Sequence, residues 1–450
     1  MTNAGPTTTR VPKSTGGPAN RGNADVSLRN DFESGNSVSA GPRADCVRPI
    51  CMAQIAAVAD RAEALAHEIR LRVLAPEVRK ASPLLSAQQV ELMCALTDGT
   101  VQRYLFEAEH PESSGPRRRK QNTISVENAC ALARHHRTTF QRPPTSQAIT
   151  IAVANFKGGV CKTTTAMSLA QGLSLRGHRV LAVDLDPQGS LTTLFGILPQ
   201  TEVPEKMTAL PALRGETGDI LSAVQPTYWY GINLVAAAPT LFAAEVAIPN
   251  LQGHEAQPKF WDILNRSLLN AREDYDVIVI DTPPALSYLT MNALMAADGI
   301  VVPVPPTALD FASLAHFWQL FADFSSNPEF NRNGGKNYAF IHVLLSRVDQ
   351  ADVAAPAVRH WIDAAYGEFL LPVEVPKSTV ISAMAAAYAT VYDIERYEGS
   401  KATYRRAIEA YNAVIALVEA SIVSAWQSDP GSRSMETRFP PSATHSRNSM

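Results

Sequence analysis

The segment with the most specific chemistry runs from residue 155 to residue 164 and reads NFKGGVCKTT. An apolar stretch that predicts a buried strand precedes it, and a predicted helix begins near Lys162. Strand, glycine loop and Lys-Thr at a helix start form the pattern of a P-loop, where backbone N–H groups and the helix N-terminus favour phosphate. We therefore expect Lys162 to reach nucleotide phosphates and the Thr163 hydroxyl to join a Mg²⁺ shell.

This loop departs from the G-x-x-x-x-G-K-[ST] pattern at Phe156 and Cys161, and it carries an additional lysine, Lys157. With that lysine it resembles the ParA/MinD family of deviant-Walker ATPases, whose signature is K-G-G-x-x-K-[ST]. The resemblance implies that Lys157 reaches across a nucleotide-sandwich dimer to the partner's phosphates. It also implies that ATP is held by Gly158, Gly159, Val160, Cys161, Lys162, Thr163 and Thr164. Because a helix N-terminus lowers a thiol pKa, Cys161 could be reactive, but a plain loop residue is the favoured interpretation.

Two further motifs end in carboxylates. The second predicted strand closes with DLDPQG at residues 184–189, and residues 277–284 read VIVIDTPP. The family resemblance implies that Asp186 positions the attacking water and that Asp281, in a Walker B position, holds Mg²⁺ through water. Carboxyl ends of parallel strands are where α/β folds bind ligands, so we expect these loops to converge on one site.

The resemblance covers roughly residues 148–420. It implies that the segment after the last strand contacts the adenine base, which makes Pro376 and Ser378 candidates for a base pocket. It also implies that basic residues near the C-terminal helix bind DNA non-specifically, and the candidates here are Lys401, Arg405 and Arg406. A solvated helix face is the alternative for these three residues.

The same region alternates between predicted strands and helices. Apolar, β-rich segments occur at residues 148–155, 179–184, 232–237, 276–281, 299–304, 338–346 and 370–375. Continuous Val/Ile runs indicate strands buried on both faces, which is typical of a parallel sheet. The predicted fold is therefore α/β: a mostly parallel sheet with helices on both faces, as in P-loop NTPases, over residues 148–426.

Residues 81–142 predict a small helical domain. Ser86-Ala-Gln-Gln89 has the form of a capping box, Thr100 can cap a second helix, and Ser125 starts a third. Helix, glycine turn, helix and basic loop is the order of a winged helix-turn-helix. Residues 111–142 hold seven Lys/Arg against two Glu, which favours DNA binding over a merely solvated loop. The candidate DNA-contacting residues are Gln102, Arg103, Tyr104, Arg117, Arg118, Arg119 and Lys120.

The remaining segments lie towards the termini. Residues 46–80 contain an apolar seam with spacings of 3 and 4, which predicts an amphipathic helix that either packs on its own domain or dimerises. Residues 1–45 and 427–450 are rich in Gly, Pro, Ser and Thr, and we expect a disordered arm and a disordered tail.

Composition sets limits on the class of protein. With 46% hydrophobic and 18% charged residues, the chain can build a sizeable core. The net charge of −3 excludes a uniformly basic protein, although a local basic face remains compatible with it. Five dispersed cysteines fit a reducing compartment, and no apolar run approaches the ~18 residues of a membrane span. We expect a cytoplasmic, nucleoid-associated protein.

The resemblance, together with the predicted helix-turn-helix, implies a DNA-partition ATPase of the large subgroup with an N-terminal helix-turn-helix. Such a protein would use ATP and Mg²⁺ to form a homodimer that binds DNA non-specifically. Hydrolysis, stimulated by a ParB-like centromere-binding partner, would release it, and the N-terminal domain would bind an operator and repress its own operon. The alternative is a sequence-specific repressor that uses its nucleotide domain only as a sensor. A MinD-like membrane ATPase is disfavoured, because residues 427–450 lack an amphipathic stripe.

Overall fold

The computed structural model describes residues 52–74, 79–109, 123–251, 259–325 and 336–428. The chain divides into two compact units, residues 1–66 and residues 67–450. The described part of the first unit is helical and belongs to α1, Met52–Leu74. Its apolar seam side chains Ile55, Val58 and Leu65 are exposed. A dimerising role for this helix stays a prediction, and both terminal arms lie outside the described residues.

The second unit contains the predicted helical segment 81–142. Strand β1, Leu84–Ser86, pairs antiparallel with β2, Thr123–Ser125. Between and after them lie helices α2, α3 and α4, at Ala87–Met93, Thr100–Glu109 and Val126–His136. The three helix starts are confirmed, and Ser86 and Gln89 form the predicted capping box. The basic run 117–120 lies outside the described residues, so the winged helix-turn-helix stays a prediction.

The main sheet of the described chain has eight strands, of which seven are parallel neighbours and one is an antiparallel edge. Their order across the sheet is β10-β9-β8-β3-β7-β4-β6-β5. In chain order the strands are β3 Ile149–Val153, β4 Val180–Asp184, β5 Gln225–Pro226, β6 Ile232–Val235, β7 Val277–Asp281, β8 Gly299–Val304, β9 Phe340–Val348 and β10 Leu370–Pro376. All seven predicted strands are confirmed; the short edge strand β5 was not anticipated.

Helices connect these strands and cover both faces of the sheet. They are α5 Lys162–Leu175, α6 Ser190–Leu194, α7 Leu210–Leu213, α8 Ala244–Asn250, α9 Ile263–Ser267, α10 Ala271–Asp274, α11 Tyr288–Ala296, α12 Ala308–Ser325, α13 Ala355–Tyr366, α14 Thr379–Ala386 and α15 Lys401–Ser428. Successive residues of each central strand point to opposite faces, so Ile151 joins one core cluster and Ala152 the other. The predicted α/β fold with helices on both faces is confirmed.

The C-terminal helix α15 corrects the expectation that no apolar run approaches the length of a membrane span. Within the described residues it is long and apolar enough to cross a membrane by length and composition. Half of its most apolar window is buried, and Ile415, Val418 and Ile422 belong to the core cluster that covers one face of the sheet. Its hydrophobicity is accounted for by packing in the fold, where it contacts α5 and β10.

A buried carboxylate joins three parts of the second unit. Glu419 on α15 pairs with Arg137 after α4 and with Arg176 after α5, each at 2.7 Å, and with His178 Nε2 at 2.9 Å. The Glu419 side chain is 1% exposed. Burial raises the pKa of Glu419, but the hydrogen bonds from His178 and Arg137 and the charge of Arg176 outweigh it and lower that pKa strongly. The helical segment is thereby tied to the sheet domain by charge as well as by apolar packing.

Candidate functional site

The phosphate loop lies where the sequence predicts it, between the end of β3 at Val153 and the start of α5 at Lys162. Gly159 has φ 75° and Cys161 has φ 71°, so two positions turn through left-handed conformations. Glycine adopts this region at little cost, whereas a residue with a Cβ pays a steric penalty. Cys161 is half-buried, and burial raises the pKa of its thiol, which supports the plain loop residue over the reactive thiol.

Residues near the end of β9 hold this loop in place. The Ser346 hydroxyl donates to the carbonyl of Val160 at 3.1 Å, and Arg347 Nη1 donates to the carbonyl of Gly159 at 2.9 Å. Because these carbonyls are bound from outside the loop, the opposite, N–H side of the peptide units remains available to a ligand.

The two signature lysines have different environments. Lys162 is buried, and its ammonium donates to the carbonyl of Lys157 at 2.9 Å. Burial lowers the pKa of Lys162, although Asp281 and Asp186 oppose the shift. Lys157 is one-third exposed, and its ammonium forms a salt bridge with Asp310 Oδ1 at 2.5 Å. The carboxylate of Asp310 is a contact that sequence reasoning missed.

Strand register brings the predicted carboxylates together. Asp184 and Asp281 are direct partners across β4 and β7. Burial raises the pKa of Asp184 to about 7, and burial with the Asp184 charge raises the pKa of Asp281 well above its ordinary value. Asp184 accepts hydrogen bonds from the backbone and hydroxyl of Thr192 at 2.8 and 2.7 Å. Within the described chain, neither carboxylate oxygen of Asp281 forms a hydrogen bond of normal geometry, although the nearby Thr163 hydroxyl opposes the rise in its pKa.

Asp186 lies two residues beyond the strand end. Its side chain accepts from the backbone N–H of Gln188 at 2.9 Å, and burial raises its pKa although Lys162 opposes the shift. A carboxylate with these properties sits in the same cavity as Lys162 and has free acceptor capacity for a water molecule.

A cavity of about 460 Å³ opens over the loop. It brings together the predicted Gly158, Gly159, Cys161, Lys162, Thr163, Thr164 and Asp186. Its wall also contains residues that sequence reasoning missed, namely Ser190, Thr193, Leu194, Pro284 and Tyr388. Pro284 is the last residue of the second carboxylate motif, and Ser190, Thr193 and Leu194 lie within five residues after the first, so proximity to those motifs was an available signal. Tyr388 lies far along the chain, and nothing in its local sequence marks it.

Other predicted residues lie elsewhere. The cavity lining, as far as the described residues go, does not include Pro376 or Ser378, and the Ser378 hydroxyl caps α14 by accepting from the N–H of Val380 at 3.2 Å. Their role in a base pocket stays a prediction.

Most of the predicted DNA-contacting residues that fall within the described ranges are at the surface. Gln102 and Arg103 are exposed on α3, while Tyr104 is half-buried against the core. On α15, Lys401 and Arg406 are exposed. Arg405 is also exposed, but its guanidinium pairs with Glu409 at 2.7 Å. Their contacts with DNA stay predictions.

A family model described as an AAA domain matches residues 148–333. A protein of Rhizobium rhizogenes with the provisional name replication protein A is 36% identical over 282 residues, which are 61% of this chain and 69% of that protein. The chromosome-partitioning ATPase Soj of Thermus thermophilus is 31% identical over 261 residues, 58% of this chain and 93% of Soj. The chain belongs to the ParA/MinD-type partition ATPases.

The fold of this partition-ATPase family extends beyond the region of the AAA-domain match. A solved partition protein superimposes with a TM-score of 0.55 at 18% identity and covers 82% of this chain and 98% of its own length. Because identity is low, the superposition shows a shared fold and nothing finer. The resemblance read from the K-G-G-x-x-K-[ST] loop is confirmed.

Proposed function

We propose that this chain is a Mg²⁺-dependent partition ATPase that binds ATP in the cavity over the phosphate loop. The observation that carries the proposal is the meeting of Lys162, Asp186 and Asp281 at the carboxyl edge of neighbouring strands. Membership of a partition-ATPase family supports the same activity. A cation, a water-orienting carboxylate and a metal-binding carboxylate are the parts that phosphoryl transfer to water requires.

The residues present fit a Mg²⁺ ion. Asp281 has two buried oxygens without a hydrogen bond of normal geometry among the described residues, and an unpaired buried carboxylate is costly unless a cation compensates it. Mg²⁺ in nucleotide sites is usually held by one or two protein groups together with waters and phosphates. Asp281, through water, and the Thr163 hydroxyl would provide those groups; the bound ion would neutralise developing phosphate charge.

Side chains of this chain would bind the phosphates, orient the attacking water and contact a second protomer. Lys162 would contact the β- and γ-phosphates, and the backbone N–H groups of Gly158 to Thr164 would enclose them. Asp186 would orient the attacking water, because it lines the same cavity as Lys162 and its carboxylate can accept more than the one hydrogen bond from Gln188. Lys157 would cross to the phosphates of a second protomer, which would make ATP the link within a sandwich homodimer.

DNA binding is proposed for the ATP-bound dimer. Exposed cations near the start of α15, Lys401 and Arg406 above all, would contact phosphates without reading sequence, so binding would be strongly salt-dependent. We further propose that the helical segment 81–142 binds an operator, and that a ParB-like partner stimulates hydrolysis. The protein would act on the nucleoid in the cytoplasm.

Filter binding to random-sequence DNA tests this function. Wild type should bind with ATP and Mg²⁺, lose affinity as salt rises, and bind weakly with ADP or without nucleotide. Lys162→Ala should abolish the ATP-dependent part. Lys206→Ala, which removes an ammonium outside the cavity lining, is the matched control and should leave binding intact. Equal affinity in all nucleotide states would contradict the proposal.

A second variant separates the partition ATPase from a repressor with a nucleotide sensor. Asp186→Ala should bind ATP but hydrolyse it slowly, so a protein released by hydrolysis would stay on DNA with ATP. A dissociation assay after competitor addition measures this. If Asp186→Ala dissociates as fast as wild type and still responds to nucleotide in operator binding, the sensor interpretation is correct.

A further inference from the structure

A second cavity, of about 420 Å³, lies at the amino edge of the sheet. Arg179 and Asp276 line it, and they directly precede the neighbouring parallel strands β4 and β7. Arg134 near the end of α4 and Arg142 in the segment after it also line the cavity. The phosphate loop follows the carboxyl end of β3, and the two cavities share no lining residue. This cavity therefore lies where the helical segment meets the sheet domain, at the edge opposite the phosphate loop.

Three guanidinium groups converge on the Asp276 carboxylate. Arg134 Nη2 lies 3.3 Å from Oδ2, and Arg142 Nε lies 3.2 Å from Oδ1. Arg179 contributes two contacts, from Nη2 to Oδ1 at 3.1 Å and from its backbone N–H to Oδ2 at 2.8 Å. An ionised carboxylate has about four acceptor sites, and these four contacts occupy them. Asp276 therefore has no acceptor left for a ligand, and its charge offsets one guanidinium and leaves two.

The anion of this cluster is buried, whereas two of its cations reach solvent. Burial raises the pKa of Asp276, but the hydrogen bonds and the charge of Arg179 outweigh it and lower that pKa. The Asp276 side chain is 7% exposed, while those of Arg134 and Arg179 are each 46% exposed. A ligand that enters from solvent therefore finds mainly guanidinium groups to contact.

Both exposed arginines retain donors for such a ligand. Arg134 uses Nε and Nη2 to bind the carbonyl of Gly177, Nε at 2.8 Å, and its Nη1 forms no hydrogen bond with the described residues. Arg179 binds Asp276 through Nη2, and within the described part of the chain its Nε and Nη1 form none. Guanidinium groups donate in parallel pairs to phosphate oxygens, which makes arginine well suited to that group.

Close packing fixes the cluster in position. Gly177 has φ 95°, and a Cβ there would lie 2.8 Å from the backbone N of Arg134, so α4 could not approach a larger residue this closely. Arg142 is held by the carbonyls of Ser146 and Glu273, each at 2.8 Å. Because these side chains are ordered before a ligand arrives, binding loses little side-chain entropy.

We propose that this cavity binds a small phosphorylated ligand, held by Arg134 and Arg179 where the helical segment meets the sheet domain. Two uncompensated guanidinium charges match a phosphate dianion, and the volume lies within the range of small-molecule pockets, about 300–1,000 Å³. A DNA duplex fits less well, because its line of phosphates would pass the exposed carboxylates of Glu273 and Asp274 on α10. The proposal does not depend on the proposed ATPase function.

Calorimetric titration with inorganic pyrophosphate at constant ionic strength tests this site. A Lys162→Ala background in Mg²⁺-free buffer suppresses binding at the phosphate loop. On that background, Arg134→Gln and Arg179→Gln should each weaken pyrophosphate binding about tenfold, because each removes charge-assisted hydrogen bonds. Arg179→Lys keeps the charge but loses the paired donors, so it should retain part of the affinity.

Arg266→Gln is the matched control. Arg266 is an exposed arginine that pairs with a carboxylate, Asp262, at 2.7 Å, and it lies outside the cavity lining. This variant should bind pyrophosphate as the background protein does. Melting temperatures provide a second measurement: pyrophosphate should raise that of the background protein and of Arg266→Gln, and raise those of Arg134→Gln and Arg179→Gln less. Melting without ligand shows whether each variant folds.

Three results would overturn the proposal. The first is that the background protein does not bind pyrophosphate, and the second is that both Gln variants bind it as tightly as the background does. The third is that the Gln variants weaken binding to random-sequence duplex DNA and leave pyrophosphate binding unchanged, which would make the cluster a DNA contact. None of these results bears on the proposed ATPase, whose own test is ATP-dependent DNA binding by the wild-type chain.

Discussion

Lys157 Nζ lies 2.5 Å from Asp310 Oδ1, so the lysine that marks the family has a carboxylate partner within its own chain. Asp310 is in the first turn of α12, and its other oxygen accepts from the Thr307 hydroxyl at 2.5 Å. Its side chain is 9% exposed, which makes it a well-fixed anion. If Lys157 crosses to a second protomer's phosphates, as we propose, this salt bridge has to break first.

The first prediction is that the Lys157–Asp310 salt bridge competes with dimerisation. Asp310→Asn removes the charge that holds Lys157 and should lower the ATP concentration for half-maximal dimerisation several-fold, since a partly exposed ion pair contributes about 1 kcal/mol. Sedimentation velocity across an ATP series, on a background of Asp186→Ala to slow hydrolysis, measures the shift.

Its control is Asp323→Asn, which removes an exposed carboxylate on the same helix. This variant should dimerise as wild type does. An unchanged midpoint for Asp310→Asn would show that the salt bridge does not compete with dimerisation.

The second prediction concerns the strained loop position. Cys161 has φ 71°, a conformation that costs a residue with a Cβ about 1–2 kcal/mol. Cys161→Gly should therefore raise the free energy of unfolding by about 1 kcal/mol. Urea denaturation without nucleotide measures it. Cys161→Ala loses the thiol but keeps the Cβ, so it should give no such gain; a gain equal to that of glycine would assign the effect to the thiol.

The third prediction concerns pH. Asp281 has its pKa raised by burial from an ordinary value of 3.8, so the folded protein holds this proton more tightly than the unfolded chain does. The stability linked to that proton is present below pH ~4, near the unfolded pKa, and is lost as pH rises through the raised folded pKa of Asp281.

Asp281→Asn does not titrate and should escape this loss. In Mg²⁺-free buffer it should be more stable than wild type at pH 8 by at least ~1 kcal/mol, since each pKa unit corresponds to about 1.4 kcal/mol. The difference should shrink as pH falls to 4. Thermal melts over this range test the prediction, and a constant difference would contradict it. Mg²⁺ should stabilise wild type with ATP but not the variant.

The fourth prediction concerns the buried ion cluster. Glu419→Gln leaves Arg137 and Arg176 without their counter-charge and should cost about 3–5 kcal/mol of unfolding free energy. Since the folded pKa of Glu419 lies below its ordinary 4.5, this stability is present above pH ~4.5 and declines as pH falls further. Chemical denaturation at pH 7 and at pH 3 measures both.

Glu409→Gln is the control on the same helix, because Glu409 is half-exposed and pairs with Arg405 in the i,i+4 relation. Its cost should stay below about 0.5 kcal/mol. Similar costs for the two variants would show that the buried cluster contributes no more than a surface pair.

The strands and the phosphate loop were predictable because their signals are local. Val277 to Asp281 is an uninterrupted apolar run that ends in a carboxylate, and the structure gives a buried strand with those bounds. Ser86 and Gln89 make a capping box within four residues, and both hydrogen bonds form. In each, the chemistry that determines the structure lies within one element.

The contacts that sequence reasoning missed join distant residues. The ammonium of Lys80 donates to the carbonyls of Tyr388 and Leu194, which are 308 and 114 positions away. A lone lysine before a short strand reads as a surface residue, and only tertiary packing makes it a buried donor. Asp310 was missed for the same reason, since its partner lies on a loop that follows another strand.

The Glu419 cluster has a mechanical consequence. Separating the helical segment from the sheet domain would leave the buried Glu419 carboxylate without Arg137, one of its two arginine partners. We therefore expect the segment and the sheet domain to move as one rigid body during a nucleotide cycle. Residues that bind a ligand on α3 would then keep a constant distance and orientation from the phosphate loop. Within the second unit, a ligand bound at α3 could therefore not rotate independently of a ligand bound at the phosphate loop.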